Sequence, residues 1–207
     1  MARISKKLKQ RKPSIAFVVD GYTEIWYLQM LCRNEPQVRI NIKPEIPSRK
    51  STYDQYLLVK DLHHREYNKI FWIVDFDTII KEHKEAREGV NRLKDFIRYR
   101  DELNALDNVV VIINNPCLEF WFLLHFEKGY TYYPKYSDLH IHRYLPNYRK
   151  SRYYFIKKDI YARLKPRLPF AIKNAERLQF NPKKPERSIC EMNLLFNSYE
   201  MEGIFNE

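Results

Sequence analysis

Glycine is scarce in this chain, with four in 207 residues. Neither G-x-G-x-x-G nor G-x-x-x-x-G-K-[ST] occurs, so no glycine-rich loop is present to cradle nucleotide phosphates, which counts against an ordinary nucleoside triphosphatase. Cysteine is scarce too. Cys32, Cys117 and Cys190 stand far apart without Cys-x-x-Cys spacing, which argues against a disulfide scaffold or a structural zinc site and for reduced thiols. No apolar run approaches the length of a membrane span, and the basic start lacks the apolar segment of a signal peptide, so a soluble, cytoplasmic protein with no membrane partner is expected.

Positive charge, by contrast, is abundant and uneven. The net charge is +11. Residues 1–13 carry six Lys/Arg and no acid, and residues 143–187 carry fourteen Lys/Arg against three acids. The remainder is mildly acidic. A near-neutral body with a basic tail and a basic C-terminal third points to a polyanion such as nucleic acid, with a merely solvated basic face as the alternative.

Hydrophobic content of 44% supports a sizeable core. Two short apolar runs, 14–19 and 70–74, end abruptly in carboxylates: Asp20, and then Asp75-Phe76-Asp77. Runs of β-branched and aromatic residues of this length read as buried strands of a parallel sheet. Residues 37–42 alternate as a half-exposed strand, and Val109–Ile113 is a further buried strand closed by Asn114-Asn115-Pro116. Helices are expected over 22–33, from Ser51 or Thr52 to about 65, over 82–104 with Val90, Leu93, Phe96, Ile97 and Leu103 inward, and over 117–126. The stretch holding Pro44 and Pro47 reads as a loop. The β-α-β order implies an α/β fold with a mostly parallel sheet flanked by helices. Residues 1–13 form a basic tail, 14–127 the core, and 128–207 a basic, Tyr-rich insertion followed by helices over 153–163, 170–179 and 186–201.

In open α/β sheets, ligands bind at the carboxyl ends of the strands. Asp20, Asp75 and Asp77 are therefore expected at one edge, and in an extended Asp-x-Asp both carboxylates turn the same way. Clustered carboxylates repel unless a hard cation such as Mg²⁺ (or Mn²⁺) lies between them. Each residue also has a plain structural reading. Asp20-Gly21 suits a tight turn, and Glu24 complements a helix dipole. Glu119, the single acid of an apolar helix, suits a helix N-terminus or a polar cavity. Asn115-Pro116 is a strand stop, and His125 a packing residue.

The order Val18-Val19-Asp20-Gly21-x-Thr23-Glu24, then Val74-Asp75-Phe76-Asp77, then Asn114-Asn115-Pro116-Cys117-Leu118-Glu119-Phe120-Trp121-x-Leu123-Leu124-His125-Phe126, then Leu145-Pro146-x-Tyr148-x-Lys150-Ser151 and Ala171-Ile172-x-x-Ala175, resembles the RloB-like family. The resemblance spans about 14–178 and implies a Toprim-like fold, as in topoisomerases, primases and related nucleases. It also implies membership of phage-defence loci of the AbiLii abortive-infection type, often with an ATPase encoded alongside. The implied activity is metal-dependent phosphodiester hydrolysis of RNA or DNA. The implied ligands of Mg²⁺ or Mn²⁺ are Asp20, Asp75, Asp77 and Glu119, with Asp20, Glu24 and Glu119 in catalysis and Gly21, Asn115 and His125 in support. Asp20 stands where the family has Glu, and Val19 where it has Cys. This departure favours the competing reading, a degenerate module that binds nucleic acid or the ATPase without cleavage; a different phosphotransfer on nucleotides is a third. Arg149, Lys150 and Arg152 are the expected phosphate contacts. Tyr132, Tyr133 and Tyr144 are expected either to stack on bases or to pack the insertion. A homo-oligomer is left open.

Overall fold

The computed structural model describes residues 14–37, the backbone of 39–43, and residues 50–65, 67–185 and 187–205. The basic tail and the Pro44/Pro47 loop lie outside the described residues. Strand β1 (Ser14–Val19) leads into helix α1 (Tyr22–Asn34), followed by β2 (Arg39–Lys43), α2 (Thr52–His63) and β3 (Lys69–Asp75). Helices α3 (Phe76–Glu85) and α4 (Arg92–Asn104) connect to β4 (Val109–Asn115), which runs into α5 (Leu118–Leu124). The sheet order is β2-β1-β3-β4, all parallel, with a two-residue antiparallel strand β5 (Ile189–Cys190) beside β4. This α/β architecture, a mostly parallel open sheet flanked by helices, is consistent with a Toprim-like fold.

Why the strands read as continuous apolar runs is plain from their two faces. Ile15, Phe17 and Val19 of β1, with Phe71 and Ile73 of β3 and Ile112 of β4, pack beneath α1 and α5. Ala16, Val18, Ile70, Trp72, Val74, Val111 and Ile113 pack beneath α2, α3 and α4. Successive side chains in a strand alternate between faces, so covering both faces demands apolar residues at every position.

Ser51 caps α2 by accepting a hydrogen bond from the Asp54 N–H, and Asp54 returns one from the Ser51 N–H. The single helix expected over 82–104 is two. Gly89 at φ +83° breaks the chain between α3 and α4, so Val90 is exposed while Phe96 and Leu103 are buried as expected.

The C-terminal part packs on the α1/α5 face. It comprises α6 (Arg152–Lys158), α7 (Ile160–Leu164), α8 (Leu168–Ala175) and α9 (Asn193–Phe196), with short 3₁₀ turns between and after them. Asp159 at φ +43° splits the expected helix 153–163 in two, and its carboxylate caps α7 by accepting from the Ala162 N–H. The helix expected over 186–201 is instead β5, α9 and a 3₁₀ turn, Tyr199–Ile204. The cause is a long-range polar anchor. Glu191, 1% exposed, accepts from the Ile113 N–H (3.0 Å) and the Phe180 N–H (3.0 Å) and pairs with Arg100 at 2.7 Å. No described helix is long and apolar enough to cross a membrane.

Candidate functional site

The chain leaves β1 toward β2 and leaves β3 toward β4, so the direction of winding reverses between these neighbours. Such a switch point opens a crevice at the carboxyl ends of the two strands. Asp20 directly follows β1, and Asp75 is the last residue of β3.

The two aspartates reach the same edge but opposite faces. Counting along β1, Asp20 shares its side with Ala16 and Val18, the face covered by α2 and α3. Its carboxylate is held there by the Gln55 amide (2.9 Å) and the Thr78 hydroxyl (2.8 Å). It borders a cleft of about 420 Å³ with Lys50, Thr78 and Lys81. Asp75 falls on the side of Phe71 and Ile73, the α1/α5 face. The acid whose charge bears most on it there is Glu24, from the first turn of α1.

Gly21 makes that approach feasible. A Cβ at position 21 would lie 2.7 Å from Glu24 Oε2, so the carboxylate occupies space that any larger residue would take. Glu119 enters the same group from the first turn of α5. Both Glu24 (3% exposed) and Glu119 (0%) are buried. The Asp-x-Asp pair does not present two parallel carboxylates. Asp75 is the N-cap of α3 and Asp77 lies in its first turn, so helical geometry sends Phe76 into the core and leaves Asp77 exposed.

Electrostatics tie these groups together. Burial, then the charges of Glu119 and Asp20, push Glu24 up to about 7 from its ordinary 4.5. Burial, Glu24 and Glu119 hold Asp75 well above the usual carboxylate range. Asp77 is raised by desolvation, with Lys150 pulling the other way. Lys150 supplies the counter-charge, its Nζ 2.9 Å from Glu119 Oε1 and 4.2 Å above the Tyr136 ring. Burial alone would lower the lysine, but Glu119 prevails and raises it. The Tyr148 hydroxyl donates to the same Glu119 oxygen at 2.8 Å.

Three groups in this region have buried polar atoms without a hydrogen-bond partner: Asp75 Oδ1, Glu119 Oε2 and both amide atoms of Asn114. Asn114 is the register partner of Asp75 and, by alternation from Ile112, faces the same side. Unpartnered buried oxygens of this kind are costly unless a ligand completes them. An all-oxygen donor set with orphaned carboxylate atoms fits a hard divalent cation. Among the described residues no three His, Cys, Asp or Glu side chains already converge as a metal-holding group. The fit therefore lies in the donor chemistry, not in a finished coordination shell.

The remaining sequence candidates separate. Asn115 donates to the Arg187 carbonyl at 2.6 Å and so pins the C-terminal segment to the sheet edge. His125 is buried, with Nδ1 2.9 Å from the Trp121 carbonyl, and burial lowers it to about 4, leaving a neutral packing residue. Arg149 and Arg152 are exposed and have no carboxylate partner among the described residues. Tyr133 and Tyr144 pack the insertion, both donating to Glu127 (3.1 and 2.6 Å), while Tyr132 is half exposed. Asn114 and Tyr148 are the site residues that strand parity and the Leu145–Ser151 motif had contained without disclosing.

The family model for RloB-like protein matches residues 15–198. No curated protein and no solved structure matches.

Proposed function

The chain belongs to the RloB-like family, and on that premise we propose that it is a metal-dependent nuclease, hydrolysing phosphodiester bonds of RNA or DNA as an effector of bacterial phage defence. The observation that carries this reading is a pair of buried carboxylate oxygens, Asp75 Oδ1 and Glu119 Oε2, left unpartnered at the β1/β3 switch point, with the charges of Glu24 and Glu119 bearing on Asp75.

Asp75 and Glu119 would hold Mg²⁺ or Mn²⁺, with Glu24 and Asp77 beside them. A bound divalent ion supplies charge neutralisation of a phosphate and of the oxygen that leaves it. Glu24, at about 7, is matched to taking a proton from water near neutral pH. Lys150 stays protonated next to Glu119 and offers its charge to a phosphate that displaces it from the carboxylate. Asp20, locked to Gln55 and Thr78, fixes the turn that delivers Gly21 and Glu24. That same engagement of Asp20 favours a second reading, in which the module binds nucleic acid or an ATPase partner without cutting.

The two readings part in one experiment. Labelled RNA and DNA are incubated with the protein, alone and with any ATPase encoded alongside, in Mg²⁺, Mn²⁺ or EDTA. Cleavage that needs the metal and disappears in Asp75→Asn/Asp77→Asn, while binding stays equal or tightens through loss of two repulsive charges, is the expected result. Binding without cleavage under every condition selects the second reading.

A further inference from the structure

A cleft of about 430 Å³ lies between the 129–132 segment, the chain after α8 and the approach to β5. Tyr130, Tyr132, Arg177, Lys184, Arg187 and Ile189 line it, and no carboxylate does so among the described residues. Arg177, Lys184 and Arg187 are exposed and free of ion pairs among the described residues. Tyr130 is 67% and Tyr132 50% exposed, and Arg177 Nη1 donates to the Tyr130 hydroxyl at 2.8 Å. Three unpaired cations and two open aromatic rings in one concavity are the two halves of nucleotide recognition, charge for the phosphate and a π-face for the base.

The cleft's place in the fold links it to the carboxylates. Asp75 pairs in register with Asn114, and Asn115 pairs with Ile189, which lines the cleft. The side chain of Asn115 holds the Arg187 carbonyl, fixing the cationic segment to the carboxyl edge of β4. With neighbouring strands about 4.8 Å apart, the approach to β5 stands about 10 Å along the edge from β3. Ile189 packs on the α2–α4 face, so a strand whose scissile phosphate sits at Asp75 reaches the cleft by passing over the carboxyl edge of the sheet.

We propose that this cleft is a subsite for a flanking nucleotide of a single-stranded nucleic acid, with Arg177, Lys184 and Arg187 on its phosphate and Tyr132 under its base. The inference rests on the nucleic-acid reading above and adds the substrate class, unpaired nucleotides. A duplex keeps its bases stacked on one another and offers no face to Tyr132.

The test is fluorescence anisotropy of labelled single-stranded and duplex oligonucleotides on the full chain carrying Asp75→Asn, in EDTA. Tyr132→Ala should weaken single-strand binding roughly tenfold and leave duplex binding unchanged. Arg177→Ala and Arg187→Ala should each lower the slope of log affinity against log salt by about 0.7, with thermal unfolding unchanged because both side chains are exposed. Adenosine monophosphate should compete with the single strand. Single-strand affinity and salt slope indifferent to all three substitutions overturn the subsite even if the wild type cleaves. Adenosine monophosphate bound without any strand binding makes this a free-nucleotide site and overturns it too. Loss of strand binding in these variants, with a wild type that never cleaves, upholds the subsite and removes the catalytic reading alone.

Discussion

Glu24 is the residue on which the site turns. Its pKa is raised in the folded protein from the ordinary 4.5 to about 7, so between about 4.5 and 7 the native state holds a proton that the unfolded chain has released. Stability contributed by this group is then present at low pH and lost as pH rises through that window, by on the order of 1 kcal/mol per pH unit at the steepest. Metal-free protein should therefore unfold at lower urea at pH 8 than at pH 5 as far as this group is concerned. Glu24→Gln should flatten that part of the profile, read as the difference between wild-type and variant midpoints at the two pH values. Mg²⁺ should recover stability at pH 8 in the wild type, and to a smaller extent in the variant, which keeps Asp75 and Glu119. The sequence placed Glu24 in the first turn of α1 but left its partner open, because a helix start does not say which strand end it overlies. Strand parity alone did not supply it, because relating Asp20 to Asp75 needs the pairing register that sets Phe17 opposite Phe71.

At the scale of elements, the turn from β1 into α1 shows how local chain geometry sets the chemistry. Gly21 is extended (φ −133°), so no left-handed strain demands glycine there; the demand comes from the Glu24 carboxylate folding back over it. Gly21→Ala should displace that flexible carboxylate, costing less than about 1 kcal/mol of stability while lowering metal-dependent turnover severalfold or more. Comparing the urea midpoint with the single-turnover rate separates the two effects. Strand β1 spans 14–19 as the apolar run implied, and α1 starts at Tyr22 as expected, because burial on both faces and helical amphipathicity are properties of the local sequence. The α3/α4 break and the 186–201 segment were not legible in the same way. One depends on a single glycine inside a helical pattern, the other on a buried glutamate whose partners lie 78 and 91 residues away.

Across the whole molecule, the basic C-terminal third is both a scaffold and a charged surface. It brings Tyr148 and Lys150 to Glu119, and it is stapled to the sheet through Glu191. Glu191→Ala leaves Arg100 without its carboxylate and the Ile113 and Phe180 N–H groups without acceptors, and should cost about 3–5 kcal/mol in urea unfolding. Because this staple also holds the edge beside Asn114 and Asp75, cleavage should fall with it even where the variant is folded. The fold class and the edge that carries the acids were readable from periodicity and charge alone. The division of the acids between two faces was not, since it depends on which helices cover which side of the sheet.

The most direct measurement compares Glu24→Gln and Asp20→Asn in single-turnover, Mg²⁺-dependent cleavage of nucleic acid. Because Glu24 stands with Asp75 and Glu119 while Asp20 is held across the sheet by Gln55 and Thr78, Glu24→Gln should lower the rate by at least about a hundredfold, and Asp20→Asn by less than about tenfold. A rate that collapses in Asp20→Asn and survives in Glu24→Gln would contradict the account, as would a wild-type protein with no metal-dependent cleavage to compare.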